Sequence, residues 1–526
     1  MSDVLFGQSY YLRFDPKLWA AMQPYPPLGT LYAAAYLRER GYEVALFDAM
    51  LADSEARWAE ALDHHRPRFA VIYEDNFNYL SKMCLLRMRQ AAFTMIRAAR
   101  ERGCTVIVAG SDASDHADKY LAHGAHFVII GEGEITLGEL LDRLTGHTDV
   151  PLDAIPGLAF LPDGQGVDRL SPSAARQSPV YTPPRPILRD LDSLPFPAWD
   201  LVDVERYRRL WHTHHGYFSM NMVTTRGCPY HCNWCAKPIW GQRYNVRSPE
   251  HVVAELKWLK TTYCPDHIWF ADDIMGLKPG WLERFAELVQ AHGARVPFKC
   301  LNRADLLLRG RTVEALRDAG CEIVWIGAES GSQNILDAME KGIRVEQIYE
   351  ATHRLHAAGI RVGFFLQFGY PGETREDIEK TLQMVRECRP DDIGISVSYP
   401  LPGTKFYERV KDQHGLKQNW LDSNDLAMLY QGPYTTAFYR QLHRVLHKEF
   451  RARSTWWELT SLLRQPHRLT RHHVRRAAAM LYHAATLPWE RYRLNRLEHE
   501  PHVGLDPLPV ELSPEAAATP TPQPDR

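Results

Sequence analysis

The stretch Val223-Thr224-Thr225-Arg226-Gly227-Cys228-Pro229-Tyr230-His231-Cys232-Asn233-Trp234-Cys235 sets three cysteines in a CxxxCxxC spacing on one tight loop and supplies no fourth. Iron-sulfur cubes are normally held by four cysteine thiolates. Three ligands would leave one iron open to a small molecule, and an open position means chemistry rather than storage or electron transfer. A structural zinc site wants a closed set of four ligands, usually as two separated pairs. His231 lies between the cysteines, but no second CxxC or HxxxH follows nearby. The alternative for this loop is three buried thiols with no ligand role.

Outward from the loop, composition narrows the class. The chain has 526 residues, 45% of them hydrophobic, enough for more than one core and, on length, for about two to four domains. Its formal net charge of -2 creates no global field toward nucleic acid, so no nucleic-acid partner is expected. Cys84, Cys104, Cys264, Cys300, Cys321 and Cys388 are isolated from one another, a reduced pattern rather than a disulfide framework. The first residues lack a basic region followed by a long apolar run, and no stretch approaches the roughly 20 apolar residues of a membrane span. A cytoplasmic location is expected.

Upstream, residues 1–145 alternate short apolar runs with helical patterns. Runs at 4–6, 43–47, 69–73, 105–109 and 126–130 read as five buried parallel strands, with helices between them at 28–40 and 79–102. That order predicts a doubly wound sheet, whose ligands bind at the carboxyl ends of its strands. Gly110-Ser111-Asp112-Ala113-Ser114 follows the fourth strand, and Gly131-Glu132-Gly133-Glu134-Ile135-Thr136 follows the fifth and opens a helix. Glycines there let backbone approach a bulky ligand, and amides at a helix start favour anionic groups; ordinary turn chemistry is the alternative for either loop. Residues 146–215 read as a linker, with a small hairpin turning at Asp163-Gly164 and a proline-rich strap from Pro179 to Pro197.

Downstream, residues 216–410 return to a strand-helix alternation. Strands are expected at 222–225, where the cysteine loop leaves, and at 267–270, 298–300, 321–326, 362–368 and 393–398. Their ends carry Asp272 and Asp273, then Glu329 and Ser330, then Gly369, as a (β/α) barrel requires of its active-site rim. For the Asp-Asp pair, helix capping is the alternative. Glu329, if buried, must be paired. Residues 411–499 read as helical and crowded with arginines, Arg464 and Arg468 among them, interleaved with Trp456, Trp457, Leu462 and Leu463. Such a segment can lie on an anionic membrane surface, pack as a solvated face on the barrel or, with less in its favour, meet nucleic-acid phosphate. Residues 500–526 lack apolar content and read as a disordered tail.

The run from Arg226 to Cys235 resembles the RGCPxxCxxC signature of radical S-adenosylmethionine (SAM) enzymes, with Trp234 as the aromatic before the last cysteine. The Tyr25-Pro26-Pro27-Leu28-Gly29, Gly110-Ser111 and Gly131-Glu132-Gly133-Glu134 segments resemble the cobalamin-binding domain that precedes many such enzymes. The resemblance implies a Rossmann-like, flavodoxin-type α/β sheet followed by a partial (β/α)6 TIM-type barrel and a helical C-terminal region. It implies a 4Fe-4S cluster on Cys228, Cys232 and Cys235, with SAM chelated by the open iron. Asp272 and Asp273 would lie near the SAM amino group, and Glu329 near its ribose or the substrate. Ser330 would line the site, and Gly369-Tyr370-Pro371-Gly372-Glu373-Thr374 would shape backbone near adenine. Arg303 is expected to hold a carboxylate bidentately. Cobalamin would meet Gly110, Ser111, Gly131, Glu132, Gly133 and Glu134. The segment Glu74-Asp75-Asn76-Phe77-Asn78-Tyr79-Leu80 lacks the DxHxxG histidine that ligates cobalt in many such domains; either cobalt goes without a protein imidazole or the domain has lost cobalamin.

In function, the resemblance implies reductive SAM cleavage to a radical and, with cobalamin, methylation of an unactivated carbon of a small or lipid-like metabolite. Its alternative is a cyclisation, rearrangement or oxidation like that of the anaerobic magnesium-protoporphyrin monomethyl ester cyclases. A reductant such as flavodoxin or ferredoxin is expected as a partner, with peripheral membrane contact through the C-terminal helices. A non-catalytic iron-sulfur sensor would leave the glycine and carboxylate strand ends unexplained.

Overall fold

The computed structural model describes residues 2–83, 85–162, 178–237, 239–415, 417–462 and 470–500. Two parallel sheets organise it. The first holds β1 (Val4–Gly7), β2 (Val44–Leu46), β3 (Phe69–Tyr73), β4 (Thr105–Ala109) and β5 (Phe127–Ile129) in the order 2-1-3-4-5. All five are parallel, in register from Val4↔Val44 and Val4↔Phe69 to Ile107↔Phe127. Side chains alternate between faces in a strand, and both faces here are apolar. Leu5, Ala70, Ile72, Val106 and Val108 enter one core, and Val4, Phe6, Val71, Ile107 and Ile129 the other. Helices must therefore cover both sides, which is the doubly wound arrangement.

The expected hairpin after the fifth strand joins this same sheet. β6 (Leu158–Phe160) pairs antiparallel with β5, and β7 (Val180–Tyr181) with β6. The Asp163-Gly164 turn lies outside the described residues, as do Cys84, Leu463, Arg464, Arg468 and the tail from Pro501. The proline-rich strap closes on the sheet's helices. Ala198 donates to the Leu31 carbonyl at 3.2 Å, Asp200 pairs with Arg38 at 2.7 Å, and Trp199 is fully buried.

The second sheet contains β8 (Ser219–Met222), β11 (His267–Phe270), β12 (Phe298–Asn302), β13 (Cys321–Glu329), β14 (Arg361–Phe368) and β15 (Asp392–Val397), all parallel and in chain order. β8 and β15 are its two edges and do not pair, so the barrel is partial. Its first strand begins three residues earlier than the apolar pattern predicts. At Thr224 and Thr225 the backbone amides are taken by the Asp272 carboxylate instead of a ladder, so the strand stops at Met222. The chain then forms a two-stranded ribbon, β9 (Thr225–Arg226) against β10 (Asn245–Val246).

The C-terminal region is a pair of antiparallel helices, Thr436–Leu462 and Arg471–Leu497, tied by Lys448–Glu490 at 2.6 Å and by a contact between Arg476 and Glu458 at 2.5 Å. Phe438, Tyr439, Leu442, Val445 and Leu446 bury one face of the first helix in the barrel core. Part of this basic segment is thus a packed face, its charges neutralised locally: buried Glu449 takes Arg386 at 2.6 Å and Arg491 at 2.7 Å. Among the described residues no helix is long and apolar enough to cross a membrane.

Candidate active site at the junction of the two sheets

The β9–β10 ribbon pins the root of the cysteine loop. Gly227 has φ +80°, and a Cβ there would stand 2.4 Å from the Arg243 carbonyl oxygen across the ribbon, so glycine is required. Asn233 fixes the loop's far end: its amide donates to the Met339 carbonyl at 3.0 Å, and its side-chain carbonyl accepts the Tyr370 hydroxyl at 2.8 Å. Cys228 and Cys232 are each 8% exposed. Burial raises the Cys228 thiol and pushes Cys235 up to about 12, so a ligated metal must drive their deprotonation. Among the described residues no three His, Cys, Asp or Glu side chains are grouped tightly enough for one metal ion. A cube needs no such convergence, since each cysteine takes its own iron. Three thiols on one pinned loop therefore fit a cluster with one open iron.

Arg303 stands beside the loop with its three guanidinium nitrogens turned to three different partners. Nε meets Asp305 at 2.9 Å, Nη2 donates to the Lys341 carbonyl at 2.8 Å, and Nη1 points at Cys232 Sγ at 3.8 Å. The guanidinium also lies 3.7 Å from the Tyr230 ring centroid. A buried cation donating to a ligand sulfur is a means of setting a cluster's potential.

On the rim, the two aspartates part ways. Asp272 is 1% exposed, and its oxygens accept Thr224 N at 2.7 Å, Thr224 Oγ1 at 2.7 Å and Thr225 N at 2.8 Å. Burial pushes it up to about 6 against those bonds. It is occupied in fixing the root of the cysteine loop. Asp273 is turned the other way and pairs at 2.7 Å with Lys82, which belongs to the first sheet's helix Tyr79–Met83. Glu329 is paired as its burial requires, with Lys341 at 2.8 Å, and it holds φ +60°, a strained conformation for a non-glycine at a β-bulge beside Gly327. Ser330 is bound to Thr381 at 3.1 Å and to the Ser332 amide, so it braces the strand end. Gly369 serves through its backbone: its N–H donates to Glu373 at 2.7 Å and its carbonyl accepts the Tyr430 hydroxyl. The second Glu373 oxygen has no partner among the described residues, and burial raises that carboxyl to about 8.

The carboxyl edge of the first sheet faces this rim. Ser111 donates to the carbonyls of Ser81 and Lys82 at 3.2 and 3.1 Å, so the Gly110-Ser111 turn holds the helix that carries Lys82 to Asp273. Gly110 sits where a Cβ would meet Glu74 at 2.8 Å, and Gly133 where one would meet the Tyr73 hydroxyl at 2.7 Å. Gly131 N–H donates to Ser114 at 3.0 Å. Glu132 and Glu134 both reach Arg226, at 2.5 and 2.7 Å, inside a box of Tyr32, Phe77 and Trp240 rings. Burial, opposed by Arg226 and aided by Glu134, holds the Glu132 carboxyl above its ordinary range.

Polar atoms along the same edge are left over. Both side-chain heteroatoms of Gln8, the Asn76 carbonyl and the Ser81 hydroxyl are buried without partners among the described residues. Tyr79 is 53% exposed, yet surrounding protein pushes its phenol upward, with Cys235 and Glu329 adding to the effect. Orphaned polar groups on a glycine-lined edge fit a large polar cofactor such as cobalamin. No histidine stands in residues 74–80 to reach cobalt.

Sequence reasoning does not single out Lys82, Lys341, Tyr79 or the sulfur-directed arm of Arg303. Only Lys341 has a signal there, the requirement that a buried Glu329 find a cation. The others depend on which loop faces which across the junction.

A thiol loop at a parallel-strand end, opposite the carboxyl edge of a doubly wound sheet, defines a metal-cofactor enzyme with two cooperating modules. Residues 222–385 match the Radical SAM superfamily, and residues 20–141 match the B12 binding domain. An uncharacterized methyltransferase of Pyrococcus horikoshii is 27% identical over 326 residues, 61% of this chain and 66% of that protein. The anaerobic magnesium-protoporphyrin IX monomethyl ester cyclase of Synechocystis is 25% identical over 457 residues, 85% of each. The solved structure of the cobalamin-dependent SAM radical enzyme OxsB, with aqua-cobalamin and SAM bound, superposes with TM-score 0.64 at 16% identity, over 95% of this chain and 76% of that one. That likeness is one of fold. The chain belongs to the radical SAM enzymes that carry a B12-binding domain, and its cofactors are a 4Fe-4S cluster, SAM and cobalamin.

Proposed function

We propose that this enzyme methylates an unactivated carbon of a small or lipid-like molecule. The observation that carries the reading is the junction itself, where Lys82–Asp273 and Arg226–Glu132/Glu134 tie the first sheet's carboxyl edge to the rim that carries the cysteine loop. When bound, the cluster with SAM supplies a one-electron route to a carbon radical, and cobalamin supplies the methyl group. Cys228, Cys232 and Cys235 would hold the cluster, and Arg303 would steady it through Cys232. Glu329, ion-paired with Lys341, offers a fixed acceptor at the strand end. The Lys82–Asp273 and Arg226–Glu132/Glu134 pairs hold the two modules at a set separation, so that a carbon activated on one side is presented to the other.

The test is anaerobic reconstitution with iron, sulfide and cobalamin, then reduction in the presence of SAM bearing a deuterated methyl group. Release of 5'-deoxyadenosine that depends on the three cysteines, together with deuterated methylcobalamin recovered by mass spectrometry, is expected. A cluster-loaded protein that cleaves no SAM would sink the reading. A second reading is favoured by the 85% mutual coverage with the cyclase: radical ring closure or oxidation without methyl transfer. It predicts 5'-deoxyadenosine with no label reaching cobalamin.

The C-terminal helices bear on the kind of substrate. Val474, Leu481, Tyr482, Trp489 and Tyr492 are 53–69% exposed along one helix, interspersed with Arg475, Arg493 and Arg496. Exposed apolar and aromatic residues with flanking cations suit the surface of an anionic membrane, from which a lipid-like substrate would be drawn.

A further inference from the structure

The concave face of the half barrel carries a second set of residues that the cofactors do not account for. Asn221, Trp269 and Lys299 are directly paired neighbours on β8, β11 and β12. Farther round the sheet, Trp325 is paired with Gly363 and Phe365 with Gly394. These two glycines form a floor. A Cβ at Gly363 would stand 2.4 Å from the Trp325 ring, and one at Gly394 would stand 3.2 Å from Phe365. With no side chains beneath them, the two rings lie over the sheet and stack at 4.7 Å with 28° between planes. Phe365 is 39% exposed, although it sits in the middle of β14 with a paired strand on either side. A large aromatic left uncovered on glycine, inside a barrel, is a platform for another flat apolar surface.

Lys299 supplies the charge. Its ammonium lies 4.9 Å from the Trp269 centroid and 5.3 Å from that of Tyr25, and among the described residues no carboxylate pairs with it. It lines a cavity of about 180 Å³ together with Tyr25, Trp269 and Asn221. Asn221 is 2% exposed, and its side-chain carbonyl has no partner among the described residues. The cavity reaches Asp75 and Asn78 on the first sheet's edge, so it opens toward the junction. Asp392, at the start of β15, is the acidic group whose field Lys299 feels, and Arg361 and Arg451 act on Asp392 in turn. One unpaired cation beside one carboxylate suits a monoanion better than a dianion.

We propose that this face is the substrate site, and that it takes a planar or fused-ring apolar molecule bearing one carboxylate. The ring system lies on Trp325 and Phe365, and the carboxylate meets Lys299 beside Asn221. The inference rests on the functional reading above and adds the class of substrate.

The test uses cluster- and cobalamin-loaded enzyme titrated with 1-pyrenebutyrate and with the neutral 1-pyrenebutanol, followed by fluorescence anisotropy. The carboxylate is expected to bind at least ~10-fold more tightly, the worth of one charge-assisted contact. Lys299→Gln should bring pyrenebutyrate to the affinity of pyrenebutanol, Lys299→Arg should keep most of the preference, and Phe365→Leu should weaken both probes alike. Equal binding of the two probes, binding of neither, or a Lys299→Gln preference equal to that of the parent overturns the proposal. SAM cleavage is measured on the same parent preparation. Cleavage without the probe preference defeats this inference alone, whereas absence of cleavage defeats the functional reading.

Discussion

Arg226 and Glu134, 92 residues apart, meet at 2.7 Å with both side chains about 5% exposed or less, and they join the root of the cysteine loop to the carboxyl edge of the first sheet. Glu132 shares the same guanidinium. Two carboxylates facing one cation leave a net negative charge in a buried site, which the Tyr32, Phe77 and Trp240 rings enclose.

Removing the cation is therefore far worse than removing one acid. Arg226→Met is expected to lower stability by about 3–5 kcal/mol, the cost of stranding a buried charge. Glu132→Gln keeps a hydrogen-bond acceptor and relieves the like charge, so it should cost much less. Thermal unfolding of the anaerobic protein orders the two variants, and an equal effect would show that Glu132 and Glu134 are not interchangeable partners.

Glu329 depends on Lys341 in the same way. Lys341→Met leaves a carboxylate in a strained, 5% exposed position with no counter-charge, so stability and SAM affinity should both fall. Lys341→Met combined with Glu329→Gln should recover the lost stability while leaving SAM binding weak. Calorimetric titration with SAM separates the two effects. Full binding by the double variant would remove Glu329 from the site.

The anion site predicts a pH profile. Burial pushes the Lys299 ammonium down to about 8, with Asp392 pulling the other way. Tyr25 faces it as a neutral phenol, since burial raises that group. Lys299 is charged below this value and loses its proton above it. Affinity for the pyrene carboxylate should hold level from about pH 6 to pH 7 and decline as pH rises past about 8, while the neutral probe stays flat. A carboxylate affinity still level at about pH 10, the range of an unperturbed lysine, would exclude Lys299 as the partner.

The exposed stripe on Arg471–Leu497 predicts lipid contact. The enzyme should float with vesicles containing phosphatidylserine at low salt and stay in solution with phosphatidylcholine alone. Trp489→Ser together with Tyr492→Ser should halve the bound fraction or more. Flotation unaffected by the double substitution would assign the attraction to other residues.

The parallel strands and the cysteine loop are legible in the chain itself. Strands buried on both faces must be continuous apolar runs, as Phe69-Ala70-Val71-Ile72-Tyr73 is, and a ligand loop carries its spacing in the chain. The pattern overshoots where chemistry interrupts it: Val223-Thr224-Thr225 has strand-like residues, but Asp272 takes the amides a ladder would use. Glu132 and Glu134 stand out at a strand end, and only the structure shows that both pair with Arg226.

Burial and local spacing are written along the chain at periods of two and of a few residues, and for that reason the strands of the two sheets and the three thiols follow from sequence alone. Contacts between distant segments settle the rest: which carboxylate meets which cation, that Asp272 is tied inward while Asp273 reaches Lys82, and that Trp325 and Phe365 lie uncovered on Gly363 and Gly394. Those outcomes depend on which surfaces the two modules bring face to face. A charge or a ring has no periodicity that names its partner tens of residues away.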